Sequence, residues 1–204
     1  MPGHFFSFDG IDGVGKSTQA KLFGEWLKER GQEVVFCRDP GSTPVGDEIR
    51  KILLDRDAVP FGRRAEMFLY MAARAQLVEE VIAPALAAGK TIVSDRFLLA
   101  NVVYQGHAGG LDVDALWRVG EVAINGVRPD LTFVLDMPEA AAGSRIQREL
   151  DRMESQGDDF RQRLRAGFLA EAQRQPDRIV VLDADRPVEV IQAEIRGLAE
   201  RTLL

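Results

Sequence analysis

The residues with the strongest chemical signal form one short glycine-rich segment near the N-terminus. Residues 10–17 read Gly-Ile-Asp-Gly-Val-Gly-Lys-Ser, which is the pattern of a phosphate-binding loop. Its glycines let backbone N–H groups surround phosphate oxygens, while the lysine reaches the outer phosphates and the serine hydroxyl ligates Mg²⁺. A chance match is expected in roughly a few chains per thousand of this composition. The segment, called the phosphate loop below, predicts a polyphosphate site of the kind that switches, motors and kinases share.

A second signal narrows these possibilities. The apolar run Thr91-Ile-Val-Ser is followed at once by Asp95 and Arg96. Ligands bind at the carboxyl ends of the strands in open parallel sheets, so both side chains are expected near the phosphate loop. Asp95 is a candidate to hold Mg²⁺ through water, and Arg96 can form a forked contact with a phosphate. An ion pair that only caps the strand is the structural alternative.

Elements that place these residues follow from hydrophobic periodicity. Strands are predicted at 4–8, 33–37, 91–94, 131–135 and 179–182, and helices at 17–30, 44–54, 66–88, 111–124 and 188–203. Alternating strands and helices indicate an α/β fold with a parallel sheet covered on both faces. The 204 residues are expected to form a single domain over 1–204.

Composition excludes several classes of protein. The chain is 46% hydrophobic and 28% charged, as is typical of soluble globular proteins, and its net charge of −6 argues against general nucleic-acid binding. No window is apolar enough for a membrane span, and no cationic leader precedes an apolar run. A cytoplasmic location is therefore expected, with no membrane or nucleic-acid partner.

An arginine-rich segment over residues 145–165 has two interpretations. Interleaved acids at helical spacing fit a solvated helix pair held by ion pairs. The same arginines also fit a mobile basic lid over a polyphosphate. The spacing alone leaves both interpretations open, with the solvated pair favoured.

Further segments make the sequence similar to a known family. They are residues 8–18, 38–44, 72–76, 95–97, 104–106 and 148–154, which together extend along nearly the whole chain. On these blocks the chain resembles the thymidylate kinase (dTMP kinase) family of P-loop nucleoside monophosphate kinases. The resemblance implies phosphorylation of dTMP to dTDP with ATP and Mg²⁺ in dTTP synthesis, a five-stranded parallel sheet, a homodimer, and a lid over about 143–157.

The resemblance also implies roles for individual residues on the donor side. ATP phosphates would be bound by the loop and the start of its helix, namely Gly10, Gly13, Val14, Gly15, Lys16, Ser17 and Thr18. Ser17 and Asp95 would hold the metal. The loop has Gly13 where another branch of the family has arginine, so lid arginines would supply catalytic charge. The candidates are Arg145, Arg148 and Arg152, of which Arg148 and Arg152 match better and Arg145 would also contact ATP.

On the acceptor side, the resemblance implies that Asp12 lies beside the acceptor nucleotide and takes part in catalysis with Lys16 and Arg96. The acceptor phosphate would meet three cations, Arg38, Arg50 and Arg96. The base and sugar would be contacted by Tyr70, Arg74, Asn101, Tyr104 and Gln105. Tyr70 and Ala100 stand where the family usually has Phe and Ser, so the base pocket differs in detail.

The residues argue against two alternative functions. Another P-loop nucleoside or nucleoside monophosphate kinase shares the loop, but the spacing of Tyr70, Arg74 and Gln105 argues against it. A GTPase switch would carry an Asn-Lys-x-Asp or an Asp-x-x-Gly motif, and the sequence has no such match at the expected positions.

Overall fold

A five-stranded parallel sheet forms the centre of the molecule. The computed structural model describes residues 3–55, 60–147, 149 and 151–203. The strands are β1 (Phe5–Asp9), β2 (Val34–Arg38), β3 (Thr91–Asp95), β4 (Leu131–Asp136) and β5 (Ile179–Asp183). Their order in the sheet is β2-β3-β1-β4-β5, and every neighbouring pair is parallel. The predicted α/β class and the five parallel strands are confirmed.

Helices cover both faces of this sheet. Their bounds are α1 (Lys16–Glu29), α2 (Pro44–Leu54), α3 (Arg63–Leu77), α4 (Ala83–Ala87), α5 (Leu98–Asn101), α6 (Val113–Ile124), α7 (Glu139–Ser144), α8 (Asp158–Arg174) and α9 (Val188–Leu203). Wide π-helical turns extend α3 over Val78–Ile82 and α5 over Val102–Ala108. Within the described ranges, no helix combines the length and the apolar character needed to cross a membrane.

Strand β1 explains why both faces are covered. Its five residues are all buried, which fits a central parallel strand with helices on either side. Phe5 packs into one apolar cluster with Met67 and Ile82, whereas Phe6 and Phe8 pack into the other with Phe23, on α1. Successive side chains on a strand point to opposite faces, so one short apolar run contributes to two cores.

The region between β2 and α6 differs from the predicted elements. The helix expected over 66–88 is α3, a π-helical turn over Val78–Ile82 and α4, so the irregular turn lies directly before Pro84, which cannot donate a backbone hydrogen bond. The segment Leu98–Ala108 is helical, although no helix was predicted there. Its residues are nearly all buried, so the run lacks the amphipathic periodicity on which the prediction relied.

Carboxyl ends of three adjacent strands bring the chemistry-bearing residues together. In the register, Phe8 of β1 lies beside Asp95 of β3, and Arg38 of β2 lies on the other side of Asp95. The phosphate loop follows β1, and Arg96 follows β3. The segments that the sequence singled out thus meet at one edge of the sheet.

Candidate active site

The phosphate loop has the backbone that its glycines permit. Gly10, Gly13 and Gly15 have φ angles of 129°, 92° and 96°, in the region that residues with a side chain rarely adopt. A Cβ atom on Gly13 would lie 2.0 Å from the carbonyl oxygen of Ala142 on α7. Gly13 is therefore required by both the turn and the close approach of α7, and a larger residue has no room there.

Lys16 opens α1 and points back into the loop. Its side chain is buried and donates hydrogen bonds from Nζ to the Ile11 carbonyl oxygen at 2.8 Å and to Asp12 Oδ1 at 3.3 Å. Burial lowers the pKa of Lys16 from its ordinary value, and the nearby charge of Arg96 lowers it further. Lys16 is thus a cation held inside the loop beside a carboxylate.

Arg96 joins the loop to the neighbouring helix. Its backbone is left-handed, with φ at 68°, a strained conformation for arginine that is frequent at functional sites. Its Nη2 donates to Asp12 Oδ1 at 2.6 Å and to the Tyr104 hydroxyl at 3.0 Å, while that hydroxyl donates to Asp12 Oδ2 at 2.9 Å. Burial opposes ionisation of Asp12, but Arg96 and Lys16 outweigh it and lower the pKa of Asp12 far below its usual range.

Asp9, at the end of β1, is a buried carboxyl group beside this cluster. Neither of its oxygens has a hydrogen-bond partner in the described part of the chain, and Arg96 Nη1 lies 3.8 Å from Oδ1. Burial raises the pKa of Asp9 to about 7 despite the opposing charges of Arg96 and Lys16. Two carboxyl groups around one guanidinium therefore have pKa values shifted in opposite directions.

Ser17 and Asp95 provide oxygen atoms suited to a hard divalent cation. The Ser17 hydroxyl donates to Asp95 Oδ2 at 2.6 Å. Mg²⁺ is usually held by one or two such protein oxygens and completes its octahedron with phosphate and water. Within the described ranges, no three His, Cys, Asp or Glu residues form a metal-binding group. The pair fits a metal bound together with a nucleotide, as the sequence predicts.

Two cavities open on either side of Asp12 and Arg96. The larger has a volume of about 820 Å³ and is lined by the loop from Asp12 to Gln19, by Arg38, Arg50, Asp95 and Arg96, and by Arg145 and Arg186. The smaller has a volume of about 100 Å³ and is lined by Tyr70, Arg74, Ala100, Asn101, Tyr104 and Gln105. Asp12, Asp39, Arg50 and Arg96 line both. Thus the two groups of predicted site residues surround adjoining spaces.

Arg74 anchors the smaller cavity from α3. It is 1% exposed and donates four hydrogen bonds, to Asp39 Oδ2 at 2.5 Å, Asn101 Oδ1 at 3.0 Å, Met71 Sδ at 3.2 Å and the Phe97 carbonyl oxygen at 3.5 Å. Its charge is paired with Asp39, which follows β2 and is itself fully buried. The predicted base-reading arginine is therefore also a structural link between α3 and β2.

Arginines of the predicted lid occupy different places. Arg145 is exposed, lines the larger cavity and lies 3.5 Å from Asp185 Oδ1. Arg152 instead donates to Glu66 Oε2 at 2.6 Å and to the Leu53 carbonyl oxygen at 2.7 Å, and its guanidinium lies over the Phe61 ring. Arg148 lies outside the described residues. Helix α8 begins at Asp158, so residues 145–157 form no helix pair among the described residues.

Three residues that the sequence analysis did not assign contact or line the site. Glu66 lies on α3 and accepts hydrogen bonds from both Arg152 and Gln105. Asp39 pairs with Arg74, and Arg186, between β5 and α9, lines the larger cavity. Glu66 could have been found from its spacing, because positions 66, 70 and 74 fall on one face of a helix. The other two depend on tertiary contacts between distant segments.

Comparisons with known proteins agree with this geometry. A family model described as Thymidylate kinase matches residues 8–195. A thymidylate kinase of Rhodopirellula baltica is 44% identical over 197 residues, which cover 97% of this chain and 80% of that protein. One from Symbiobacterium thermophilum is 44% identical over 200 residues, which cover 98% and 94%.

A solved structure supports the same assignment. The crystal structure of thymidylate kinase from Ehrlichia chaffeensis is similar with a TM-score of 0.80 and 27% identity, covering 98% of this chain and 99% of that one. The fold, the adjoining cavities and the near full-length matches lead to one conclusion. The chain belongs to the thymidylate kinase family and is a phosphotransferase that phosphorylates dTMP.

Proposed function

We propose that this chain transfers the terminal phosphoryl group of ATP to dTMP and releases dTDP and ADP. The observation that carries the proposal is the junction of the two cavities at Asp12 and Arg96. A triphosphate on the phosphate loop and a nucleoside monophosphate in the smaller cavity would meet there. The test is ADP release with a panel of nucleoside monophosphates, in which dTMP should be the preferred acceptor and another preferred acceptor would overturn the proposal.

Phosphoryl transfer depends on positioning and on stabilising the charge of the transferring group. We assign the donor phosphates to the loop and the start of α1, namely Gly10, Gly13, Val14, Gly15, Lys16, Ser17 and Thr18. An oxygen of the acceptor phosphate attacks the γ-phosphorus in line, and no covalent enzyme intermediate forms. Lys16 then moves its contacts from Asp12 to phosphate oxygens.

Ser17 and Asp95 are the residues that would hold Mg²⁺. The metal supplies charge neutralisation on the β- and γ-phosphate oxygens when it is bound. The chain's own contribution is to keep the Ser17 hydroxyl and the Asp95 carboxylate in contact beside the larger cavity, which both residues line.

The acceptor phosphate is assigned to Arg38, Arg50 and Arg96, which line one cavity. Burial lowers the pKa of Arg50, and the charge of Arg38 adds to this effect, so a dianionic ligand relieves the repulsion between these cations. The nucleoside is assigned to Tyr70, Arg74, Asn101, Tyr104 and Gln105. Asp12, fixed by Arg96 and Tyr104, stands between the donor and acceptor sites.

The lid, residues 143–157, completes the donor site in this proposal. Arg145 lines the larger cavity already, whereas Arg152 is paired with Glu66. Arg148 and Arg152 remain the predicted catalytic arginines, and Arg152 must leave Glu66 to reach the transferring group. Closure of the lid excludes water that would otherwise hydrolyse ATP.

We also propose that the chain forms one domain over residues 1–204 and acts as a homodimer in the cytoplasm, where ATP is available. Large apolar side chains are exposed on three helices that pack side by side, Val45 and Ile52 on α2, Phe68 on α3 and Val122 on α6. We call these four side chains the apolar patch and propose that they form the dimer interface.

A further inference from the structure

Glu66 is a buried carboxylate at the end of a chain of side-chain hydrogen bonds in the smaller cavity. It is 1% exposed and lies one helical turn from Tyr70 and two from Arg74 on α3. Burial of an unpaired charge is costly, but Glu66 is paired with Arg152 at 2.6 Å and with Arg63 at 3.4 Å. Before Arg152 leaves for the transferring group, these two arginines hold the carboxylate in place.

The hydrogen-bond chain runs in one direction from a cation to this anion. Arg74 Nη1 donates to Asn101 Oδ1 at 3.0 Å, and Asn101 Nδ2 donates to Gln105 Oε1 at 2.6 Å. Gln105 Nε2 then donates to Glu66 Oε1 at 2.9 Å. An arginine can only donate and a carboxylate can only accept, so the two ends fix which way both amides point.

This orientation determines what the two amides offer to a ligand. Each amide nitrogen donates one of its two hydrogens within the hydrogen-bond chain and has the second for a ligand. Asn101 and Gln105 both line the smaller cavity. A pyrimidine that carries oxygen at ring position 4 accepts from such donors. A pyrimidine with an amino group at ring position 4 places a second donor against the amide N–H groups of Asn101 and Gln105, so no hydrogen bond forms. A site with fixed donors therefore discriminates between the two bases.

We propose that Glu66 is a positioning residue for pyrimidine specificity, which holds the amide orientation of Gln105 from one end of the hydrogen-bond chain while Arg74 holds that of Asn101 from the other. The inference rests on the proposed function, because it assigns the smaller cavity to the base of the acceptor. Glu66 itself need not touch the substrate.

The test compares two ligands that differ only at ring position 4. Inhibition constants of dUMP and dCMP are measured against dTMP in wild type and in Glu66→Gln, whose side chain has the same shape but can donate. Arg152 and Gln105 donate to the two different oxygens of Glu66, and the glutamine side chain has only one oxygen to offer them. The orientation of Gln105 then rests on Asn101 alone, so the preference for dUMP over dCMP should fall, by up to about tenfold, the size of one hydrogen bond. A general loss of structure would weaken both ligands equally and lower the melting temperature, whereas an unchanged ratio in a variant with the wild-type melting temperature would overturn the proposal.

Glu171→Gln is the matched control. Glu171 is also fully buried and paired, with His107 and Arg174, but it takes no part in the chain from Arg74 to Glu66. The ratio of the two inhibition constants should stay at the wild-type value in this variant. A fall as large as that in Glu66→Gln would contradict the assignment.

A double variant tests whether Glu66 acts through Gln105. In Gln105→Met, the further change Glu66→Gln should leave the ratio as it is. An additional fall would show that Glu66 does not act through Gln105.

A second variant is available if Glu66→Gln does not fold. Glu66→Asp shortens the side chain by one methylene, which moves the carboxylate away from Gln105 and should lower the ratio by about threefold. An unchanged ratio would count against the proposal.

The activity of wild type distinguishes a failure of this inference from a failure of the proposed function. If wild type phosphorylates dTMP and Glu66→Gln keeps the wild-type ratio, only the relay is wrong. If wild type does not use dTMP, the proposed function fails and the relay fails with it.

Discussion

Lys16 is the residue whose role is most directly set by its position. It is buried in the phosphate loop and contacts the Ile11 carbonyl oxygen and Asp12, neither of which is assigned to the nucleoside. We expect Lys16→Ala to lower kcat by about 10²–10³, the cost of one lost donor to developing charge, and to leave dTMP affinity nearly unchanged. The measurement is ADP release and dTMP binding in the same variant.

The control for this variant is Lys21→Ala, which removes an exposed lysine from the same helix. Its turnover should match wild type. Wild-type turnover in Lys16→Ala would remove Lys16 from the mechanism.

Asp9 makes stability depend on pH. Burial raises its pKa from 3.8 to about 7, so between these values the folded chain keeps a proton that the unfolded chain has lost. The contribution of Asp9 to stability is therefore present at low pH and is lost as the pH rises towards 7 and above. In Asp9→Asn this dependence disappears.

Urea unfolding at pH 5 and pH 8 measures the effect. From pH 5 to pH 8, wild type should lose up to about 3 kcal/mol of unfolding free energy relative to Asp9→Asn. Parallel pH profiles for the two proteins would show that Asp9 titrates normally.

Individual site residues could be predicted where a motif specifies them. The phosphate loop, Asp95 and Arg96 could be identified because their residue types and spacing are specific. The chemical state of Asp9 and the hydrogen-bond partners of Glu66 could not be predicted, because both depend on burial and on contacts with distant segments. Arg152 shows the same limit, since its pairing with Glu66 is a contact over 86 residues.

Among the elements, the contact between the phosphate loop and α7 is tight. Gly13→Ala places a Cβ against the Ala142 carbonyl oxygen at φ 92°, whereas Gly15→Ala has a similar φ of 96° and nothing within 4 Å. Backbone strain is therefore common to both variants, and the clash is specific to Gly13. We expect Gly13→Ala to be less stable than Gly15→Ala by about 1–3 kcal/mol, the usual cost of overpacking.

Thermal or urea unfolding of the two variants checks this expectation. Equal stabilities would mean that α7 moves freely away from the loop. In that case Gly13 would not explain why this chain lacks an arginine in the loop.

The lid is predicted to supply the charge that the loop lacks. A positioned arginine is worth roughly 10³ to 10⁵ in rate in related phosphoryl-transfer systems, so Arg148→Ala and Arg152→Ala should depress kcat far more than dTMP affinity. Arg→Lys should restore activity only in part, because an ammonium lacks the planar fork. Single-turnover rates are the measurement.

Arg163→Ala is the control for the lid variants. Arg163 belongs to the same arginine-rich segment, but it lies on α8 and donates to the Ala108 carbonyl oxygen. Its rate should stay near wild type. Lid variants within about threefold of wild type would favour a purely structural role for the segment.

Element types were predicted where periodicity was strong. The five strands and the helices α1, α2, α6 and α9 agree with their predicted positions to within a few residues. Helix α5 with its π-helical turn was missed, because a helix buried on every side shows no amphipathic pattern.

At the scale of the whole molecule, the apolar patch on α2, α3 and α6 is the proposed dimer interface. A charge placed in it should prevent association. We expect wild type to sediment as a dimer and Phe68→Glu as a monomer, while Val190→Glu, at an exposed position of α9, stays dimeric. A monomeric wild type would contradict the proposed dimer, and a dimeric Phe68→Glu would place the interface elsewhere.

The central claim is that the two adjoining cavities unite ATP and dTMP for phosphoryl transfer. The most direct measurement is ADP formation by the wild-type chain with ATP, Mg²⁺ and, in turn, dTMP, dUMP, dCMP, dAMP and dGMP. Fast ADP formation should require dTMP and should stop when Mg²⁺ is removed. ADP formation that is independent of the acceptor, or faster with another nucleotide than with dTMP, would contradict the claim.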